Sequence, residues 1–398
     1  MSTSDWIERE SKYLFQNYGR QPVVIERGEG SRVWDSEGNQ YLDFVGGLAV
    51  TSLGHAHPAV VAAASMQAER LVHVSNLYYT TPMIELAELL VENSPLDRVF
   101  FCNSGTEAIE AAIKLARRYG HDERSRAHGI IAMDDGFHGR SLGALAAAGT
   151  ARYREPFEPM PGGFTHVPWN DLEALHEATD DNTVAVLVEP IQGEGGVNVP
   201  SPTYLKGVRD WCDENGLLLI LDEIQSGVGR TGTLWAHEQE GIEPDVMCVA
   251  KGLAGGLPIG AVLAREELAG YLTPGDHAST FGANPVAAAA GVAVLRHIFE
   301  NDLLAAARRA SGRLVDRLLH LQDTLPAVTE VRGRGLLLAV SFSTEAAARV
   351  VALCRERGLL VNNVRPDRIR LMPALIVEDD EIDRACDLLE EAIRAGTS

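Results

Sequence analysis

The sequence predicts an α/β protein in which a large domain, built on a mostly parallel central sheet, is joined to a smaller α+β domain. Three observations carry this. A length of 398 residues is more than one small core organises and favours two domains. From about Pro58 onward, apolar strand-like runs alternate with helical stretches, the pattern of strands linked by crossover helices. Beyond Pro285 the texture changes to long alanine- and arginine-rich helices interrupted by short strands. The expected division is an N-terminal segment, residues 1–45, packing with the small domain, then a large domain over 46–285 and a small one over 286–398.

Taken in order, the segment PVVIERGEGSRVWDSEGNQYLDF is punctuated by Gly28, Gly30 and Gly38, which predicts a meander with strands at Val23 to Ile25, Arg32 to Trp34 and Tyr41 to Phe44. Buried strands are expected at Arg98 to Phe101, Gly129 to Ala132, Val184 to Val188, Leu217 to Leu221, Asp245 to Val249 and Ala261 to Ala264. Runs such as VAVLV and LLLIL suit strands covered on both faces. A helix over Thr203 to Asn215 should stop at Gly216, placed where a left-handed residue ends a helix. In the second domain a strand at Leu336 to Phe342 is followed by a helix and by a strand pair near Leu359 to Val361 and Ile369 to Leu371.

Composition narrows the function classes. A formal net charge of -21, with no basic run to offset it, repels nucleic-acid phosphates and anionic lipid. Five cysteines, scattered and never in C-x-x-C spacing, fit neither a disulfide framework nor a zinc site. No apolar segment has the length of a membrane span, and the charged start is unlike a signal peptide. A soluble cytoplasmic protein with no metal, nucleic-acid or membrane partner is expected.

Open parallel sheets hold their ligands at the carboxyl ends of the strands. Just past such ends the sequence places Glu189 in LVEP, Asp222 and Gln225 in LLLILDEIQ, and Lys251 in DVMCVAKG. A lysine in an apolar junction followed by small residues loses its charge by desolvation, and a neutral amine attacks a carbonyl; a strand-end lysine can also simply reach water. Asp222 after an apolar run can cap a turn, or it can hold a ring nitrogen protonated so that the ring accepts electrons. Upstream, Ser104 and Glu107 form the S-x-x-E pattern of a helix start, whose free N–H groups suit a phosphate. The loop GFHGRS offers Phe137 to stack on a planar group and Arg140 to grip a carboxylate. His138 reads as structural.

Two competing motifs carry less. The G-x-G-x-x-G of Gly227 to Gly232 is separated from its strand by DEIQS and opens no helix, unlike a dinucleotide site. His55 and His57, in LGHAHP before a proline, read as a turn and not as metal ligands.

In this order NSGTEA, FHGRS, VEPIQGEGG, LDEIQSGVGRTG, AKGLAGGLPIGA and STFGANP resemble the class III aminotransferases of the pyridoxal-phosphate fold type I superfamily, from about Tyr18 to Ala395. The resemblance implies pyridoxal 5'-phosphate as cofactor. It makes Lys251 the lysine that joins the cofactor and shuttles the proton, and pairs Asp222 with the ring nitrogen. Gln225 would lie beside the phenolic oxygen and Phe137 against the ring, with Ser104, Gly105 and Thr106 at the phosphate and Glu223 and Ile224 beside Asp222. Thr280 would reach the phosphate of a neighbouring subunit, giving a homodimer with shared sites.

GGLAVTSLGHAHP and HVSNLYYTTP are similar to the acetylornithine branch of that family. The branch implies transfer of the terminal amino group of N2-acetyl-L-ornithine to 2-oxoglutarate, a step of arginine biosynthesis. Arg140, Ser279 and Tyr18 then become substrate contacts. Glu194 would mask Arg370 until the acidic acceptor arrives. Ile109 departs from the branch, which usually has asparagine there. The alternatives are ornithine, succinylornithine or 4-aminobutyrate as donor, or a lysine precursor on an acidic carrier, which this charge would repel.

Overall fold

The structure, a computed structural model, describes residues 1–397. Its central sheet has seven strands: β4 (Arg98–Cys102), β5 (Gly129–Met133), β6 (Phe164–Val167), β7 (Thr183–Val188), β8 (Leu218–Asp222), β9 (Val246–Val249) and β10 (Gly260–Ala264), in the order β4-β10-β9-β8-β7-β5-β6. The pairs β6-β5, β5-β7, β7-β8 and β8-β9 are parallel, whereas β10 runs antiparallel to both neighbours. Residues of β7, β8, β9 and β10 are buried throughout, because helices cover both faces. The sequence reading did not include β6, whose four residues FTHV lie at the sheet edge with only Val167 buried and carry a weak apolar signal.

The helix Gly105–Glu123 lies over β9 and β10 with Ala108, Ile109, Ala112, Ile113 and Ala116 inward, at the three- and four-residue spacing of one helical face. Ile109 is fully buried in that apolar layer, so the departure noted above serves packing. Gly120 on the same helix meets the chain at close range: a β-carbon there would stand 2.1 Å from the Ala127 carbonyl oxygen. Helix propensity favours alanine over glycine by about 1 kcal/mol, but forced backbone movement costs more. Gly120→Ala is therefore expected to destabilise by about 1–3 kcal/mol in urea unfolding, against the gain that propensity alone would give.

The helix Tyr204–Asn215 ends at Gly216 with φ 60°, as expected. Pro285–Glu300, assigned by composition to the second unit, packs against the helices Pro58–Arg70 and Thr81–Glu92 of the first. Its alanine-rich face (Ala287, Ala288, Ala290) lets the three helices approach closely.

The N-terminal strands β1 (Ile25–Glu29), β2 (Arg32–Asp35) and β3 (Gln40–Asp43) form an antiparallel meander. The first begins at the end of the expected Val23 to Ile25 run, because the Gly30 turn fixes which residues oppose β2. The C-terminal sheet contains β11 (Val328–Arg334), β12 (Leu337–Phe342), β14 (Asn362–Arg365) and β15 (Arg368–Leu371), in the order β11-β12-β15-β14. The expected pairing of the two late strands is corrected. β13 (Leu359–Leu360) pairs in parallel with β3, and the partners of β15 are β12 and β14. The polar edge sequences VTEVRGR and NNVR hid β11 and β14 from a search for apolar runs. The β3-β13 contact and an Arg32–Glu381 ion pair of 2.9 Å join the N-terminal strands to the C-terminal part.

Candidate active site

The carboxyl ends of β4, β5, β7, β8 and β9 share one rim, and there a cavity of about 410 Å3 opens. Lys251 follows β9 and is partly buried within it. Its backbone has φ 43°, the left-handed region that a side-chain-bearing residue rarely adopts and that clusters at functional sites. Burial lowers its ammonium below the ordinary lysine value, and Arg370 adds to this, while Glu194, Asp222 and Glu189 oppose it. Desolvation thus poises the lysine toward the free amine.

Asp222 is the last residue of β8, and both its oxygens are engaged. Oδ1 accepts from the Ile224 N–H at 3.0 Å and Oδ2 accepts from His138 Nδ1 at 2.8 Å. His138, read from sequence as structural, is buried directly against Asp222 and lines the cavity. Attraction to Asp222 and Glu189 raises its pKa above the ordinary value even though burial opposes the charge. Glu189, beyond β7, accepts from the Phe137 and Gly193 N–H groups at 3.1 and 3.2 Å. Burial, with Asp222 adding to it, pushes its carboxyl up to about 7.

At the far end Ser104 caps the helix Gly105–Glu123, its Oγ accepting from the Glu107 N–H at 3.4 Å. The Glu107 carboxylate reaches back one residue further than the expected box, to the Asn103 N–H at 2.9 Å and Ser104 Oγ at 2.9 Å. Gly105 and Thr106 line the cavity beside Ile224, and a β-carbon on Gly105 would stand 2.9 Å from the Ile224 side chain. Thr106 Oγ1 accepts from the Arg140 and Ser141 N–H groups, which ties the GFHGRS loop to the helix start. Phe137 and Arg140 both line the cavity, and the Arg140 guanidinium lies 3.9 Å over the Tyr153 ring.

The opposite wall brings in the C-terminal sheet. Arg370 on β15 is fully buried and donates through Nη1 to Glu194 Oε1 at 2.7 Å and to Gln225 Oε1 at 2.9 Å. Its Nη2 is buried without a hydrogen-bond partner, a costly arrangement unless something else accepts there. Gln225 also donates to Glu194 Oε1 at 3.3 Å. Burial works against ionised Glu194, but Arg370 and Lys251 hold its carboxyl below the usual range.

Not every expected residue arrives. Glu223 lies away from the cavity, corrected because successive residues after a strand turn to opposite sides: it accepts from the His237 N–H at 2.9 Å and Ser226 Oγ at 2.6 Å. Tyr18 is 67% exposed, under the Arg20 guanidinium and outside the cavity lining. Ser279 is held to Asn103 by a 3.1 Å hydrogen bond, one shell behind the lining, and Thr280 is exposed. Sequence reading missed Asn103 and the wall Gly256 to Ile259, whose only signal was the small-residue run before β10. Gly227 to Gly232 form a turn with Gly229 and Gly232 at φ 84° and 93°. His55 bonds Asp43 at 2.7 Å while His57 caps Pro58–Arg70.

Comparison with known proteins agrees with this geometry. The family model described as aminotransferase class-III matches residues 13–393. The acetylornithine aminotransferase of Caldanaerobacter subterraneus subsp. tengcongensis is 49% identical over 97% of this chain and 98% of its own length. The crystal structure of an ornithine aminotransferase from Toxoplasma gondii ME49 superposes with a TM-score of 0.96 at 37% identity, covering 99% of this chain and 96% of that one. The N-acetylornithine aminotransferase of Stenotrophomonas maltophilia K279a gives 0.85 at 38% identity, covering 98% of both chains. A desolvated lysine, a fixed aspartate and a capped helix start on one rim, with a family match over nearly the whole length, lead to one conclusion: the chain belongs to the class III aminotransferases.

Proposed function

We propose that this chain moves the terminal amino group of N2-acetyl-L-ornithine to 2-oxoglutarate, giving N-acetyl-L-glutamate 5-semialdehyde and L-glutamate in arginine biosynthesis. The observation that carries it is the pairing of buried Arg370 with half-buried Glu194 at 2.7 Å beside Lys251, with one Arg370 nitrogen left unpartnered. An ionised pair covered in this way presents no net charge to a donor whose single carboxylate is taken up by Arg140. Once Glu194 turns aside, the same arginine offers a planar fork to the second carboxylate of an acidic acceptor. One pocket thereby serves two substrates of different charge.

Class III aminotransferases depend on pyridoxal 5'-phosphate, and the residues present fit it. Lys251 would carry it, Asp222 would face its ring nitrogen, Phe137 would lie against the ring and Gln225 beside its oxygen. Ser104, Gly105 and Thr106 at the helix start would take the phosphate. When bound, the cofactor supplies a cationic ring that accepts electrons from the carbon bearing the transferred nitrogen. Lys251 Nζ would take the proton from that carbon and return it to the carbon on the other side of the transferred nitrogen, a role its lowered basicity suits. The buried walls exclude water that would otherwise compete for the proton.

We further infer a homodimer in which the partner's copy of the segment carrying Thr280 completes the phosphate end, because Thr280 is exposed outside this chain's own cavity. Among the described residues no helix is long and apolar enough to cross a membrane. Five buried free cysteines support a reducing compartment, the cytoplasm.

Steady-state rates against a panel of acetylornithine, succinylornithine, ornithine and 4-aminobutyrate test the donor; a higher kcat/KM for ornithine than for acetylornithine would overturn the assignment. Arg140→Ala is expected to raise KM for donor and acceptor together, by roughly ten- to a hundredfold, the worth of a charge-assisted pair to a carboxylate. Unchanged KM values would move the carboxylate site elsewhere.

A further inference from the structure

Arg140 and Arg370 are held in opposite ways. Arg370 is buried and donates to a carboxylate. Arg140 is exposed where it lines the cavity, and among the described residues its guanidinium has no hydrogen-bond or ion-pair partner. A long side chain left free explores many rotamers, and a ligand that fixes it must meet that loss of entropy. Two rings lie against this one instead: Tyr153, whose centroid is 3.9 Å from the guanidinium carbon, and Phe137 at 5.4 Å. The shorter value is close to the contact distance of two flat groups laid face to face. Such stacking occupies the faces of the guanidinium and leaves the N–H groups in its plane free.

Tyr153 is built as a platform. It is half-buried on the single helical turn Ala151–Arg154. Arg154 fastens that turn to the central sheet through the Ala148 carbonyl and, at 2.9 Å, through His166 on β6. Arg152 donates to Tyr153 Oη at 3.2 Å. The GFHGRS loop has its own tie, to the helix start through Thr106. Ring and guanidinium thus come from two separately anchored segments, so their contact is not a by-product of adjacency in the chain.

We propose that Tyr153 is a positioning residue for substrate binding: its ring holds the Arg140 guanidinium in place before substrate arrives, with the free edge of the fork turned to the carboxylate of donor or acceptor. This rests on the assignment of Arg140 to that carboxylate. The face of the ring carries the effect, and the hydroxyl, engaged by Arg152, does not. Phenylalanine should therefore serve at 153, and an aliphatic side chain should not.

The test compares Tyr153→Leu, Tyr153→Phe and Arg140→Ala with the wild-type holoenzyme, using N2-acetyl-L-ornithine and 2-oxoglutarate as substrates and glutarate as a competing dicarboxylate. Tyr153→Leu should raise both KM values and the inhibition constant of glutarate roughly two- to tenfold, the effect of having to order one long side chain on binding. Its kcat and its visible cofactor absorption should stay at wild-type values, because Lys251 and Asp222 are untouched. Tyr153→Phe, which keeps an aromatic face, should bind within about twofold of wild type. A packing role would lower kcat and cofactor content together with affinity, and that result overturns the proposal. Equal losses in the leucine and phenylalanine variants would assign the effect to the hydroxyl and overturn it as well. Tyr153→Met, which also lacks a ring, gives the same comparison should leucine prevent folding. The two readings fail apart. Wild-type KM values in Arg140→Ala overturn the carboxylate assignment and the proposal with it, whereas raised values there beside unchanged ones in Tyr153→Leu overturn the proposal alone.

Discussion

Lys251→Ala is expected to lower turnover by about 10⁴-fold or more, since both the attachment of the cofactor and the proton transfer pass through one amine. The fold should survive. Alanine at 251 keeps the backbone strain of a non-glycine residue at φ 43° and relieves the desolvation of the amine, so the melting temperature of the cofactor-free protein should move by no more than roughly 4 °C. Borohydride reduction followed by peptide mapping should find the pyridoxyl tag at Lys251 in wild type and nowhere in the variant. Activity near that of wild type would remove the central assignment. Because the Lys251 ammonium is held below its ordinary 10.5, the free amine forms at lower pH than in an ordinary lysine. Wild-type turnover should therefore rise along an acid limb whose midpoint lies below 10.5.

Asp222→Ala comes second, at about 10³-fold in kcat/KM, the scale seen when one preorganised charge is withdrawn from a developing transition state. Its signature differs from that of the lysine variant. The cofactor should still attach to Lys251, and the loss should appear in kcat as well as in affinity, because the ring is no longer kept cationic. The change also strands His138, whose Nδ1 has no other partner, so a modest loss of stability measured in urea should accompany it. Unaltered kcat with attachment intact would reassign the partner of the ring nitrogen.

How much of this was legible in the sequence depended on the kind of signal. The strands carrying Asp222 and Lys251 were readable because a strand covered on both faces is a solid apolar run, and a polar residue at its end stands out. The same property concealed that β10 runs antiparallel, since direction leaves no mark on a strand buried throughout. β11 and β14 were lost for the opposite reason: on an edge, arginines and asparagines cover one side and mute the alternation. At the site, residues that protrude past strand ends were found one by one. His138 was not, because a lone histidine in a glycine-containing loop reads as structural, and its contact with Asp222, distant in sequence, arises only in the fold. Glu223 failed in reverse: adjacency to Asp222 in the chain puts it on the other side of the backbone.

The reversed direction of β10 has a further result. Its incoming end, not its outgoing one, sits at the mouth, so the chain leaves β9 through Ala250 and Lys251 and returns through Leu257, Pro258 and Ile259, all facing the same hollow. A single short excursion therefore carries both the reacting group and part of the enclosure around it. Adding or deleting a residue there would misplace the amine and breach its shelter in one stroke, which makes that excursion intolerant of length change.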